Sequence, residues 1–326
     1  MISKSMKSVS IYTLPVLFIF CSVFLSGCTG ADSHDETDTG TYSQAISQET
    51  VTWDGKEYVY NENLINILFL GTDSSDMLDT TYIPGDAGQS DCIIILSLDE
   101  EIHQARILQI NRNTMTNIDV YNMAGRVVET LYAQIALQYA YCTGGENSCY
   151  AVKNTVSELL YGLEIAGYFT LDISGVAEIN DALGGVEITL SEDYTQIDSS
   201  LTAGSTILLE GELAEKFIRY RDTDEFNSVQ DRMERQVIYI TALIEQIKGS
   251  GKDAVYDLLS PYFDTYILTD LTAEELNSLA SYTYLTDEVA YLPGEALQGE
   301  VYEEFYADDE ELQALVIEMF YTQVED

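Results

Sequence analysis

Three short, nearly unbroken apolar runs constrain this chain most: LINILFL at 64–70, CIIILSL at 92–98 and RILQI at 106–110. Runs of this length and composition suit strands covered on both faces, not strands with one wet face. A cover is available, because helical patterns follow at about 126–140, 151–161, 174–183, 211–218, 228–248, 253–260, 272–282 and 309–321. A further strand is expected at 186–190, after the Gly184-Gly185 turn. Strands mixed with helices throughout indicate an α/β domain with a covered sheet. No internal repeat is visible and no second linker follows residue 55, so 56–326 reads as one domain.

The polar stretch 99–104 is short enough to be a turn, which makes the three runs an antiparallel meander. Asp73 follows the first strand, Asp91 precedes the second and Arg112 follows the third, so all three fall on one sheet edge. Two carboxylates beside an arginine can hold a hard cation such as Mg2+ while the arginine binds a phosphate. The same spacing also suits turn aspartates with a surface salt bridge, and the pattern does not separate the two.

The cations are unevenly placed. Five of the 14 basic residues fall between Lys216 and Arg235. Arg219 and Arg221 flank Tyr220 and point the same way if the segment is extended. Ser228 reads as a helix N-cap, with Arg232, Arg235 and Gln236 at i, i+3 and i+4 near one face of the helix that follows. These side chains can cradle a pyrophosphate, or they can pair with Asp222, Asp224, Glu225, Asp231 and Glu234 in the same stretch.

Composition excludes other classes. With 14 Lys+Arg against 56 Asp+Glu the net charge is −42, which opposes nonspecific nucleic-acid binding and adsorption to anionic lipid. An apolar fraction of 46% and 24 tyrosines exclude a disordered acidic chain.

The N-terminus has its own logic. Lys4 and Lys7 precede a largely apolar run at 11–25, which is short for a membrane span and fits the core of a secretory signal. It ends in Leu25-Ser26-Gly27-Cys28, like a bacterial lipobox in which Cys28 becomes the lipidated mature N-terminus. An uncleaved signal anchor with an incidental cysteine is the other reading. The division is therefore a lipoprotein signal at 1–27, a flexible tether at 28–55 rich in Ser, Thr, Asp and Gly, and the domain. Export allows Cys142 and Cys149 to bridge, though three buried thiols, Cys92 included, fit equally well.

The segments Asn66-Ile67-Leu68-Phe69-Leu70-Gly71-Thr72-Asp73, Ser90-Asp91, Arg112-Asn113-Thr114, Asp181-Ala182-Leu183-Gly184-Gly185-Val186, Arg219-Tyr220-Arg221 and Arg232-Met233-Glu234-Arg235-Gln236 occur in a telling order, with Tyr168 after the Gly144-Gly145 loop and its helix. As an ordered set they resemble the LytR–CpsA–Psr family over roughly residues 60–250. The remainder resembles the C-terminal extension of some clostridial members. The resemblance implies a three-layer α/β/α sandwich with a mixed central sheet. It implies an extracytoplasmic phosphotransferase, at the outer face of the cytoplasmic membrane, that moves a glycopolymer such as teichoic acid from a polyprenyl pyrophosphate carrier to peptidoglycan. By resemblance Asp73 and Asp91 hold Mg2+, Arg112, Arg219, Arg221 and Arg232 hold the phosphates, Gln236 adds a polar contact, and Arg235 supports either the site or its helix. The catalytic expectation rests on Asp91, Arg112 and Arg221, with Asp91 the candidate proton acceptor and a pyrophosphatase side activity expected without acceptor.

Two positions depart from the family pattern. Gln89 stands where an arginine is usual, and Asn113 stands where an aspartate usually follows the arginine. They favour an alternative: a non-catalytic scaffold that binds polyprenyl phosphates in wall assembly.

Overall fold

The computed structural model describes residues 50–73, 83–86, 88–222, 226, 228–249, 251 and 254–324. The signal at 1–27, Cys28 and the tether through residue 49 lie outside the described residues, as do Asp224 and Glu225. The tether's last expected stretch instead carries β1 (Thr50–Trp53), which turns through Asp54 and Gly55 into the antiparallel β2 (Lys56–Tyr60).

The three apolar runs form the heart of the molecule as β3 (Leu64–Thr72), β4 (Ser90–Asp99) and β5 (Gln104–Ile110), paired antiparallel in sequence order. Strand pleating sends alternate residues to opposite faces. Ile67, Ile94 and Leu96 enter one core, and Leu68, Ile93 and Ile95 enter the other.

After β5 come β6 (Met115–Tyr121) and β7 (Val127–Gln134), an antiparallel hairpin, and then the single turn α1 (Leu137–Ala140). A helix at 126–140 is not formed. Asn122 Oδ1 accepts from the Ala124 and Arg126 N–H groups, and Gly125 takes φ +68°, so a tight turn closes the hairpin. Val127, Val128 and Thr130 then favour the extended chain over the helix.

Next are α2 (Gly145–Leu159), β8 (Gly167–Asp172), α3 (Val176–Ala182), β9 (Val186–Thr189), β10 (Thr206–Leu209), α4 (Glu212–Arg219) and α5 (Ser228–Gly249). β8 joins β3 in parallel, and β9 pairs with β10 outside the main sheet.

The C-terminal quarter contributes α6 (Ala254–Leu259), β11 (Ile267–Thr269), α7 (Ala273–Ser278), β12 (Thr283–Tyr284), β13 (Ala290–Tyr291), β14 (Gly294–Gln298), β15 (Glu303–Ala307), α8 (Asp309–Phe320) and β16 (Tyr321–Gln323). α7 opens with a Thr272–Glu275 capping box but yields to a 3-10 turn at 279–281, so the helix expected over 272–282 is shorter. The central sheet runs β11-β8-β3-β4-β5-β12, with β13 also on β5. β11 pairs antiparallel with β8, whereas β12 and β13 lie parallel to β5, so the sheet is mixed.

Helices cover both faces. Ile179, Phe217, Ile240, Leu259 and Leu276, from α3 to α7, pack on one. Val152, Val156, Leu312 and Val316, from α2 and α8, pack on the other. This is the three-layer α/β/α arrangement. Cys92, Cys142 and Cys149 are buried free thiols, so the bridged alternative is not formed. Burial pushes the Cys92 and Cys149 thiols up to about 12, which leaves them unreactive as nucleophiles.

Candidate functional site

The antiparallel register sets the site. Thr72 pairs with Ser90, and Ile93 pairs with Ile110, so Asp73, Asp91 and Arg112 leave their strands at one end of the sheet. Gly71 permits this closeness, since a Cβ there would lie 2.9 Å from the Cβ of Cys92.

Asp91 is the hub. Its Oδ1 lies 2.5 Å from Nη1 of Arg112, and its Oδ2 lies 3.2 Å from Nη1 of Arg232 on α5. Arg112 Nη2 also donates to Oε1 of Gln89. The Gln89 N–H in turn donates to Asp73 Oδ1 at 2.5 Å. Gln89 therefore ties one carboxylate to the guanidinium of the other pair. An arginine at 89 would instead set a second cation against Arg112.

Charges crowd this corner. Burial lowers the pKa of the Arg112 guanidinium; Asp91 and Asp73 oppose this, and Arg232 and Arg221 add to it through repulsion. Arg232 is only 5% exposed, yet among the described residues its Nε and Nη2 have no hydrogen-bond acceptor, nor has Nε of Arg112. Buried guanidinium N–H groups without acceptors are costly, and an anion oxygen would relieve them.

The remaining expected residues separate. Arg221 donates from Nε to Ser228 Oγ at 3.1 Å and lines the same groove as Arg112. Gln236 is buried, accepts from Gln109 Nε2 at 3.4 Å and shares a cavity wall with Asp73 and Asp91. Arg235 does not reach the site: its Nε donates to the Phe217 carbonyl at 3.0 Å and Nη2 to the Tyr220 carbonyl, clamping the C-terminal end of α4. Arg219 also stands apart. The expected helix runs through Arg219, so the condition of an extended 219–221 segment is not met and Arg219 pairs with Glu215 one turn back at 2.9 Å, with its side chain 63% exposed. Cys28 lies outside the described residues.

Two residues were missed. Asp172 ends β8 opposite Thr72 and is buried; its Oδ1 accepts from the Ser174 N–H while Oδ2 has no partner. Burial pushes its carboxyl up, with Asp73 adding to the rise. A strand ending in Asp-Ile-Ser-Gly was its only signal. Glu303 lies in the C-terminal hairpin and had none. Its Oε1 accepts from Asn113 Nδ2 at 3.1 Å, so the asparagine that departs from the family pattern faces a carboxylate.

Among the described residues no group of three or more His, Cys, Asp and Glu side chains is arranged to hold a metal. Asp73 and Asp91 offer two carboxylates, which suits Mg2+, an ion commonly bound by one or two carboxylates with water and phosphate oxygens completing the shell.

The site separates two kinds of space. One, the dry side, is a narrow apolar cavity: a space walled by Asp73, Asp91 and Gln236 shares Phe69, Leu171, Ile240 and Leu243 with a second that runs between the sheet and α5 to Leu276 and Tyr284. The other, the wet side, is a larger and more polar groove walled by Gln89, Arg112, Arg221, Tyr132, Tyr302 and Glu303 among others.

These features define an α/β/α protein with a mixed sheet and a cluster of arginines and aspartates at one sheet end. The family model described as LytR_cpsA_psr family matches residues 22–315, and the chain belongs to that family. It is 25% identical over 220 residues to the polyisoprenyl-teichoic acid–peptidoglycan teichoic acid transferase TagU of Enterococcus faecalis, covering 68% of this chain and 66% of that one. It is 28% identical over 228 residues to the TagU transferase of Oceanobacillus iheyensis, covering 68% and 63%. The chain thus spans slightly under two thirds of the length of these relatives. In fold it is similar to TagV of B. subtilis (TM-score 0.59, 22% identity, 79% of this chain and 97% of that one). It is equally similar to TagT bound to LIIa-WTA (TM-score 0.59, 20% identity, 79% and 89%).

Proposed function

We propose that this protein is a Mg2+-dependent phosphotransferase that moves a glycopolymer from a polyprenyl pyrophosphate carrier to peptidoglycan. The reading places it on the outer face of the cytoplasmic membrane, held by a lipid on Cys28. The observation that carries it is the excess of buried guanidinium donors around Asp91, set between a dry cavity and a wet groove. A polyprenyl pyrophosphate needs just this pairing of an apolar slot with a cationic end. The names of the relatives agree with the substrate class.

Phosphoryl transfer asks for charge neutralisation and in-line placement more than for a reactive side chain. Arg112 and Arg232 would hold the pyrophosphate oxygens with the donors left over from Asp91. Arg221 would contact the phosphate from the groove side, and Gln236 would add a neutral contact from the dry side. Mg2+, held by Asp73 and Asp91, would neutralise charge on the pyrophosphate. Arg219 falls outside this set. With water in place of a sugar hydroxyl, the same arrangement would act as a pyrophosphatase.

Gln89 and Asn113 each have a bonded partner, which weakens the scaffold alternative they suggested. The test is Asp91→Asn in the full-length chain, assayed for transfer from a polyprenyl-pyrophosphate-linked oligosaccharide. Transfer should fall at least about 100-fold, the scale of losing one preorganised charge contact, with circular dichroism unchanged. Wild-type transfer by this variant would overturn the proposal.

A further inference from the structure

The site as described lacks a proton acceptor for the incoming hydroxyl. Asp73 and Asp91 are the two carboxylates assigned to Mg2+ above, and Asp91 is also ion-paired with Arg112 and Arg232. His103 sits in the turn between β4 and β5, at the far end of the sheet. A carboxylate on the wet side comes from elsewhere in the chain.

Glu303 opens β15, 190 positions beyond its partner Asn113, and is 7% exposed. Three bonds besides its own contact with the Asn113 amide fix it. Gln134 Nε2 donates to the Glu303 carbonyl at 2.7 Å and to Asn113 Oδ1 at 3.2 Å. The Phe305 N–H donates to the Asn113 carbonyl at 3.0 Å. The carboxylate is thus held against the residue that follows Arg112, and both Arg112 and Glu303 line the wet groove. Its neighbour Glu304 is engaged by the Tyr306 hydroxyl at 2.6 Å.

We propose that Glu303 is the general base that takes the proton of the acceptor hydroxyl, a step that rests on the phosphotransferase reading above. The acceptor oxygen forms a bond to the phosphorus nearer the glycopolymer. The bond from that phosphorus to the bridging oxygen breaks, and polyprenyl phosphate leaves on the dry side with the electron pair. The hydroxyl proton goes to the Glu303 carboxylate and then to water in the open groove. In-line displacement requires attacking and leaving oxygens on opposite sides of phosphorus, so the acceptor would enter from the groove that Arg112 lines and the carrier would leave along the cavity that Asp91 lines. An aspartate at 113 would set two carboxylates in contact, whereas asparagine holds one in place.

The experiment compares Glu303→Gln, Glu303→Ala and Asp91→Asn in the full-length chain. The donor is a polyprenyl-pyrophosphate-linked oligosaccharide and the acceptor a peptidoglycan oligosaccharide. The glutamine keeps an oxygen for Asn113 and removes the basic carboxylate, so kcat should fall about 100-fold or more while donor affinity holds. Formate should restore part of the rate of Glu303→Ala. Two results overturn the proposal: wild-type kcat in Glu303→Gln, or loss of donor binding together with transfer, which would mark Glu303 as a clamp for the hairpin. If Asp91→Asn also transfers normally, the parent reading has failed; if only Asp91→Asn is inactive, the failure is confined to Glu303.

Discussion

The two spaces that meet at Asp91 are built differently. The dry side is lined by strands β3, β4 and β8 and by helix α5, with side chains such as Phe69, Ile240 and Leu243, and is closed by C-terminal residues such as Leu259, Leu276 and Tyr284. The wet side is lined by the β6–β7 hairpin, the residues around Arg112 and the β14–β15 hairpin, with amides, tyrosines and carboxylates. The dry side is therefore part of the hydrophobic core and tolerates change only where packing allows. The wet side is assembled from peripheral hairpins that can vary without unsettling the sheet. A lipid-bearing substrate shared by many proteins would suit the first, and an acceptor particular to one protein would suit the second.

The largest effect in this comparison should come from blocking the dry side. Leu243 belongs to the wall shared by both apolar cavities. Leu243→Trp should weaken binding of a long-chain polyprenyl pyrophosphate by at least about tenfold, which is roughly 1.4 kcal/mol. A water-soluble short-chain analogue should bind as before, because it engages the arginines alone. Titration of both ligands into wild type and variant reads the difference. Equal loss for the two ligands would mean the cavity is packing space and not a lipid slot.

What was legible in the sequence follows the same division. The dry side was readable because continuous burial writes itself as continuous apolar runs, and short turns between them fix the meander that brings Asp73, Asp91 and Arg112 together. On the wet side only Gln89, Arg112, Asn113 and Arg221 were legible, and the hairpins that frame them were not. Residues 126–140 mix exposed valines, a glutamate and a tyrosine in a way that suits either a helix or a hairpin, and the Asn122–Gly125 turn decides for the hairpin. The Asn113–Glu303 contact joins residues 190 apart, which no local pattern encodes. Arg235 had the right motif but the wrong neighbours: the free carbonyls at the end of α4 take its donors.

A smaller effect tests a buried carboxylate at the same end of the sheet, where β8 pairs with β3. Asp172 is buried with one oxygen unpartnered, and burial raises its carboxyl above the ordinary aspartate value. A raised folded-state value means that ionisation costs the folded state more than the unfolded one. The cost is absent below the ordinary value of about 3.9, grows as pH rises through the raised value and is complete above it. Asp172→Asn keeps an oxygen for the Ser174 N–H and removes the charge. Its urea midpoint should exceed that of wild type at pH 7, and the gap should close as pH falls toward about 4. Equal midpoints at pH 7 would show that the carboxylate is solvated or paired.

The smallest effect belongs to one of two arginines that look equivalent in sequence. Arg221 lines the wet groove, whereas Arg219 ends α4 and reaches solvent beside Glu215. An exposed i, i+4 ion pair contributes little, because water screens it and two long side chains lose freedom to form it. Arg219→Ala should therefore shift stability by no more than about 0.5 kcal/mol and leave transfer within about twofold of wild type. Arg221→Ala should lower transfer by at least about tenfold, since a charge-assisted contact to phosphate is lost. If the two variants lose transfer equally, Arg219 must leave Glu215 and swing onto the phosphates when the donor binds. The anion site would then draw on both sides of Asp91, and the division between a lipid side and an acceptor side would not extend to its cations.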